Sequence, residues 1–126
     1  MKKLLLPLLA AALLPLAAAA ADTAPKSVIH IVTVAWKDDA KPEQIQAAID
    51  GVKALPGSYP GITRVWVKTL KVQNPRELTV PKTHVLVMEF KDEQALKDYS
   101  NSDAQKKWYE AYTPIRKQST THDVTN

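Results

Sequence analysis

The chain has 126 residues with 17 basic and 13 acidic side chains and no cysteine, so it can form one modest domain without disulfide bonds. The basic residues are spread along the chain rather than concentrated in a stripe. This pattern excludes a dedicated nucleic-acid-binding protein, which needs clustered positive charge.

The N-terminus predicts a secretory signal peptide over residues 1–21. Lys2 and Lys3 give a basic start, a Leu-rich apolar run follows, and the alanines at 17–21 supply a small-residue cleavage site. The alternative is a membrane anchor, but two prolines interrupt the run and its Leu-rich part is shorter than the roughly 20 residues of a span. With no cysteine after the site, a bacterial lipid anchor is excluded.

We therefore expect a secreted or periplasmic protein with no membrane span after cleavage. A linker at 22–27 would precede one domain at 28–126. Removing Lys2 and Lys3 from the 17 basic residues leaves 15 against 13 acidic ones, so the mature chain has a net charge of +2.

The first element of the domain is predicted as a strand over 28–36. Its even positions, His30 among them, share one face, and its odd positions share the other. Both faces are largely apolar, which indicates a central strand. A helix then begins at Pro42, with an apolar stripe at helical spacing formed by Ile45, Ala48, Ile49, Val52 and Leu55.

The second half of the chain predicts strands over 62–72 and 82–90, the latter including His84. Asp92 caps a short helix that buries Ala95, Leu96 and Tyr99. The S-x-x-Q pattern at 102–105 starts a further helix containing Trp108, and Pro114 ends it. A polar edge strand over 118–124 completes the chain.

The order β-α-β-β-α-β predicts an α+β, ferredoxin-like sheet with both helices on one face. We expect the first and third strands to be central, adjacent and parallel. The bare face would expose Ile29, Ile31 and Ala35, an apolar patch that a second copy of the chain would cover.

The chain resembles the stress-responsive dimeric α/β-barrel family, often called Dabb. The matching segments are His30–Val32, the Ala-Leu-Pro-Gly of 54–57 with Pro-Gly-Ile at 60–62, and the stretches 83–90 and 92–99. The resemblance implies a homodimeric barrel with a small cavity between sheet and helices. Cyclase-type members use a tyrosine on the second helical segment and a histidine a few residues later. Tyr99 matches that tyrosine, and Gln105 stands at the histidine position.

The candidate site consists of His30 and His84 at the starts of the two central strands. We expect Asp123 on the last strand to lie beside His30, with Tyr99 and Trp108 above them. Three interpretations stay open: structural histidines tied to Asp123 and to backbone, a ligand-binding cavity lined by all five residues, or an iron or zinc site made by the histidines and Asp123. No H-x-H or H-x-x-x-H spacing supports the metal site.

The sequence therefore predicts a protein that binds a small apolar or aromatic molecule, with no cofactor and no metal. The alternative is a cofactor-free enzyme of the cyclase or lyase type. There, His30 or His84 would act as the base and Tyr99 as the acid or an orienting group.

Overall fold

The computed structural model describes residues 26–74, 76 and 79–125; the predicted signal peptide and most of its linker lie outside this range. The elements are β1 (Val28–Trp36), α1 (Pro42–Lys53), α2 (Leu55–Ser58), β2 (Ile62–Thr69), β3 (His84–Phe90), α3 (Glu93–Tyr99), α4 (Asp103–Tyr112) and β4 (Arg116–Val124). A 3-10 turn at Thr113–Ile115 connects α4 to β4. Within the described residues, no helix has the length and apolar character to cross a bilayer.

The four strands form one sheet in the order β2-β3-β1-β4, in which every neighbouring pair is antiparallel. The prediction that β1 and β3 are central and adjacent is confirmed, but the prediction that they are parallel is wrong. The crossover through α1 makes β1 and β2 run in the same direction. The turn back into β3 then reverses the chain, so β3 must run against β1.

The core lies between one face of this sheet and the helices. Val28, Val32 and Val34 of β1 and Leu86, Met88 and Phe90 of β3 are buried there against Ala48, Val52, Leu55, Ala95, Tyr99, Trp108 and Tyr112. These are the inward positions expected from the alternation along each strand and from the helical stripes. The helices therefore cover one sheet face, as predicted.

The caps of α3 and α4 follow the sequence signals. The Asp92 carboxylate accepts a hydrogen bond from the Ala95 backbone N–H at 2.8 Å, and the Ser102 hydroxyl accepts one from the Gln105 N–H at 3.2 Å. In a regular capping box, the Gln105 side chain would accept from the N–H of the N-cap residue, Ser102. Here its side-chain oxygen accepts from the N–H of the preceding residue, Asn101. The two short helices therefore begin where the sequence places them.

The opposite sheet face carries a row of apolar side chains across three strands, the two central strands β1 and β3 and the edge strand β2. Ile31 of β1 pairs with Val87 of β3, and Val87 pairs with Trp66 of β2, whose side chain is 37% exposed. The expectation that Ala35 is exposed on this face is wrong: it is 3% exposed and shares a small cleft with Val80 and Pro81 of the connection before β3.

Candidate functional site

A cavity of about 510 Å³ lies between the inner sheet face and the helices α3 and α4. Its floor comes from β1 and β3 through His30, Val32 and Met88. Its walls come from α3, α4 and β4, which contribute Glu93, Leu96, Lys97, Tyr99, Ser100, Gln105, Trp108, Tyr109, Tyr112, Arg116, Ser119, Thr121, Asp123 and Thr125. The lining is mixed, with polar and charged side chains in the majority beside apolar and aromatic ones.

His30 is the polar group on the cavity floor, and Asp123 orients it. The two residues are register partners on β1 and β4, and the His30 Nδ1 lies 2.5 Å from an Asp123 carboxylate oxygen. Because a carboxylate only accepts, Nδ1 carries the proton, and the other ring nitrogen, Nε2, is the acceptor of the neutral ring. The predicted contact between these residues is confirmed.

Tyr99 lines the same cavity and carries a buried hydroxyl that makes no hydrogen bond within the described chain. Its ring packs 5.3 Å from that of Phe90, and Phe90 in turn meets the His30 ring edge-on at 5.9 Å. The Tyr99 side chain is 2% exposed, and its buried hydroxyl has no hydrogen-bond partner among the described residues. Burial raises the pKa of this phenol, and nearby Tyr109 adds to the shift, so Tyr99 stays protonated at neutral pH.

Trp108 and Tyr112 form the helical wall of the cavity. Their rings stack at 4.5 Å between centroids, and the Trp108 indole N–H donates to the Ala48 carbonyl at 2.9 Å across the α1–α4 contact. Trp108 thus serves the core and the cavity together, because its satisfied N–H fixes a ring that also lines the pocket. The hydroxyl of Tyr112 is also buried, and burial raises its pKa while the neighbouring side chains of Ser119 and Arg116 lower it.

His84 does not reach the cavity, contrary to the prediction. It pairs with Val34, whereas His30 pairs with Met88, so four residue steps of about 3.3 Å separate the two histidines along the antiparallel strands. His84 Nδ1 instead accepts a hydrogen bond from the Trp36 indole N–H at 2.9 Å and lies 3.0 Å from the Thr83 hydroxyl. Burial lowers its pKa, which favours the neutral ring that this acceptor role requires.

The same separation removes the ligand set of the suggested iron or zinc site. His30 and Asp123 meet, but His84 lies at the other end of the strand pair. No group of three histidine or carboxylate side chains within the described ranges is arranged to hold a metal ion. The observed pair is therefore a hydrogen-bonded dyad facing a cavity.

Sequence reasoning missed Arg116 as a cavity residue, because it placed the start of the last strand at 118. β4 begins at Arg116, and its pairing with β1 shifts between Ala35 and Trp36. A polar strand whose alternate residues are Ser119, Thr121 and Asp123 is the signal that could have predicted a polar wall. The shift itself has no signature in the sequence.

The family of the chain follows from a match to a whole-domain model. Residues 28–126 match the model described as the stress responsive A/B barrel domain, or Dabb. The chain belongs to this family. No curated protein sequence is significantly similar to it.

Solved structures place this Dabb domain among ferredoxin-like folds. A hydroxynitrile lyase from Passiflora edulis has a TM-score of 0.71 at 16% identity, covering 82% of this chain and 95% of the lyase. The protein At3g17210 from Arabidopsis thaliana has a TM-score of 0.69 at 18% identity, covering 79% and 94%. A dimeric ferredoxin-like protein of unknown function from Bacteroides fragilis has a TM-score of 0.60 at 18% identity, covering 80% and 97%. At these identities the likeness shows the fold alone.

Proposed function

We propose that this protein is an exported homodimer that binds a small apolar or aromatic molecule in the cavity between its sheet and α3 and α4. The observation that carries the proposal is the buried Tyr99 hydroxyl, which has no protein partner in the described chain and belongs to a cavity-lining residue. A buried hydroxyl without a partner costs about 1–3 kcal/mol, so a bound acceptor would recover this loss.

The size and lining of the cavity support a small organic ligand. Its volume of about 510 Å³ lies within the roughly 300–1,000 Å³ common for such sites. Apolar contact comes from Val32, Met88 and Leu96, and flat aromatic contact from Trp108 and Tyr112. Tyr99 donates to the ligand, and the Nε2 of a neutral His30 accepts from it, so the site suits a molecule with one oxygen function on an apolar body.

The outer sheet face supports the homodimer. The Ile31–Val87–Trp66 row is apolar and is exposed mainly at Trp66, and such a row on a sheet is stabilised by pairing with an identical face. Solved structures of the same fold from Bacteroides fragilis and Thermobifida fusca are described as dimeric. The proposal of export rests on the predicted signal peptide of residues 1–21.

Native mass spectrometry of the full chain purified from its own host tests the binding proposal. We expect a dimer that retains a small molecule. A Thr121→Trp variant fills the cavity from β4 and should release the molecule, whereas Gln46→Trp, on the exposed side of α1, should keep it. Retention of the molecule by Thr121→Trp would show that it binds elsewhere.

A second candidate, a lyase, is favoured by the His30–Asp123 dyad. In cyanohydrin cleavage, His30 Nε2 would take the hydroxyl proton while the carbonyl forms, the carbon–cyanide bond breaks, and the imidazolium returns the proton to cyanide. Tyr99 would orient the substrate oxygen by donating a hydrogen bond, because its raised pKa makes it a poor proton donor. The fold shared with a hydroxynitrile lyase motivates this choice of substrate.

The lyase candidate predicts release of aldehyde and cyanide from an aromatic cyanohydrin. His30→Ala should lower the rate at least a hundredfold, in keeping with the usual contribution of a general base. His84→Ala is the matched control, since His84 lies off the cavity and should leave the rate unchanged. Equal rates for the wild type and His30→Ala would exclude this mechanism and leave the binding proposal intact.

A further inference from the structure

Arg116 reaches the cavity because of an irregularity in β4. Trp36 pairs with Arg116, but the preceding residue Ala35 pairs with Gln118, so Lys117 is an extra residue in the strand. In a regular strand, Arg116 would share the outer face with Gln118. The bulge resets the alternation, and Arg116 joins Ser119 in lining the cavity. Bulges commonly redirect a side chain in this way next to binding sites.

The Arg116 guanidinium lies beside the Tyr112 side chain and forms no ion pair with a carboxylate of the described residues. It lies 5.4 Å from the centre of the Tyr112 ring. In the described part of the chain, Arg64 pairs with Glu89 and Lys117 with Asp38, but no carboxylate forms an ion pair with Arg116. A guanidinium has five N–H donors, so one that packs against a tyrosine and has no carboxylate partner keeps donors for a two-pronged contact with a carboxylate.

The acidic groups of the cavity do not neutralise this end. Asp123 bonds to His30 at the far end of β4. About six residue steps, or roughly 20 Å, separate it from Arg116 along the strand. This distance exceeds the length of about 8 Å over which physiological salt screens charges. Glu93 lies one helical turn from Lys97, a spacing at which opposite charges attract. The cavity is therefore polar at two ends, one cationic and one formed by His30, Asp123 and Tyr99.

We infer that the cavity selects an apolar or aromatic carboxylate and that Arg116 binds its carboxylate group. The apolar body would lie along Trp108 and Val32, with any second oxygen function reaching Tyr99 and His30. This inference rests on the proposed small-molecule function and specifies the chemistry of the ligand. The competing role for Arg116 is structural, as a brace on Tyr112 alone.

Matched acids and amides distinguish these roles. The probes are benzoate with benzamide, 2-naphthoate with 2-naphthamide, and 4-phenylbutyrate with its amide, each titrated calorimetrically at pH 7.5 into the full mature chain. The wild type should bind at least one acid at least tenfold more tightly than its amide, as expected for a charge-assisted pair. Arg116→Gln should remove the preference, and Arg116→Lys should keep part of it, because lysine retains the charge without the planar fork.

Lys117→Gln is the control, since it removes the same charge one residue away on β4 but outside this cavity. It should keep the full preference for the acid. Thermal melting of all three variants verifies that each is folded.

Equal binding of acid and amide by the wild type would overturn the inference and leave the proposed binding function standing. An acid preference that survives in folded Arg116→Gln would also overturn it. Failure of every acid to bind the wild type would also overturn the inference, while the proposed binding function is tested separately by native mass spectrometry.

Discussion

The two histidines of the central strands sit in contrasting environments. His84 is closed off: its Nδ1 accepts from the Trp36 indole and has the Thr83 hydroxyl nearby. His30 has one nitrogen fixed by Asp123 and lines the same cavity as Tyr99, whose buried hydroxyl has no partner in the described chain. At one end of the sheet the histidine is bonded to neighbouring side chains, and at the other the buried hydroxyl of Tyr99 has no partner in the described chain.

This difference separates polar groups that stabilise the fold from polar groups that the fold leaves without a partner. Polar groups that the protein satisfies itself stabilise the fold, whereas buried groups left unsatisfied destabilise it and are retained only where another benefit exists. Histidine alone does not mark the site, because both histidines are partly buried on central strands. The partners of each ring make the distinction.

Trp108→Ala should give the largest effect, since it removes part of the helical wall of the cavity. The side chain is 5% exposed, stacks on Tyr112 and donates to Ala48, so we expect a loss of about 3–5 kcal/mol in the free energy of unfolding. Tyr109→Ala, the more exposed neighbour on α4, should cost less than about 1 kcal/mol. Similar losses in urea unfolding would mean that the wall is not a packed element.

A double-mutant cycle on the Trp36–His84 hydrogen bond should yield a coupling free energy of about 1 kcal/mol. Trp36→Phe removes the indole donor, and His84→Ala removes its acceptor. Each single change should destabilise the protein, and the double variant should lose less than the sum of the two. Strict additivity in urea unfolding would show that this contact contributes no net stability.

Tyr99→Phe should stabilise the protein, in contrast to the two changes at Trp36 and His84. Because the hydroxyl is buried without a partner in the described chain, its removal should raise the free energy of unfolding by about 1 kcal/mol while weakening ligand binding. Tyr59→Phe is the matched control: its hydroxyl donates to the Ala95 carbonyl at 2.7 Å, so its loss should cost about 1 kcal/mol. A destabilised Tyr99→Phe would mean that the hydroxyl is already satisfied.

The smallest expected effect is a pH dependence from His84. Burial lowers its pKa, so between the folded-state value and the ordinary value near 6.5 the unfolded chain holds more protons than the folded one. Stability should therefore fall as the pH drops from 7 to 5. His84→Asn keeps an acceptor for Trp36 without titrating and should flatten this slope in urea unfolding. His122→Asn, at an exposed position, should retain the wild-type slope.

Much of the fold could be predicted from local patterns. The bounds of β1, the caps at Asp92 and Ser102, the edge position of β4 and the His30–Asp123 contact all follow from alternation, capping and strand order. The element order also determines the direction of β3 relative to β1, because a crossover followed by a reversal makes these strands antiparallel. The predicted parallel direction is therefore wrong. Since that error put His84 beside His30, it carried directly into the predicted site.

The remaining features of the site depend on tertiary structure that no local pattern records. Arg116 enters the cavity through a pairing shift in β4, and only the neighbouring strand reveals such a shift. The unpartnered Tyr99 hydroxyl likewise depends on every side chain around it. The helical spacing of Tyr99 predicted its burial correctly, but burial alone does not say whether a hydroxyl finds a partner.

The unused hydroxyl of Tyr99 also has a practical consequence for finding the natural ligand. Any molecule that accepts from it binds the native state selectively, and such a molecule raises the melting temperature in proportion to its affinity and abundance. Fractions of a host extract can therefore be ranked by how far each raises the melting temperature of the protein. The Tyr99→Phe variant, which should respond less, is the control.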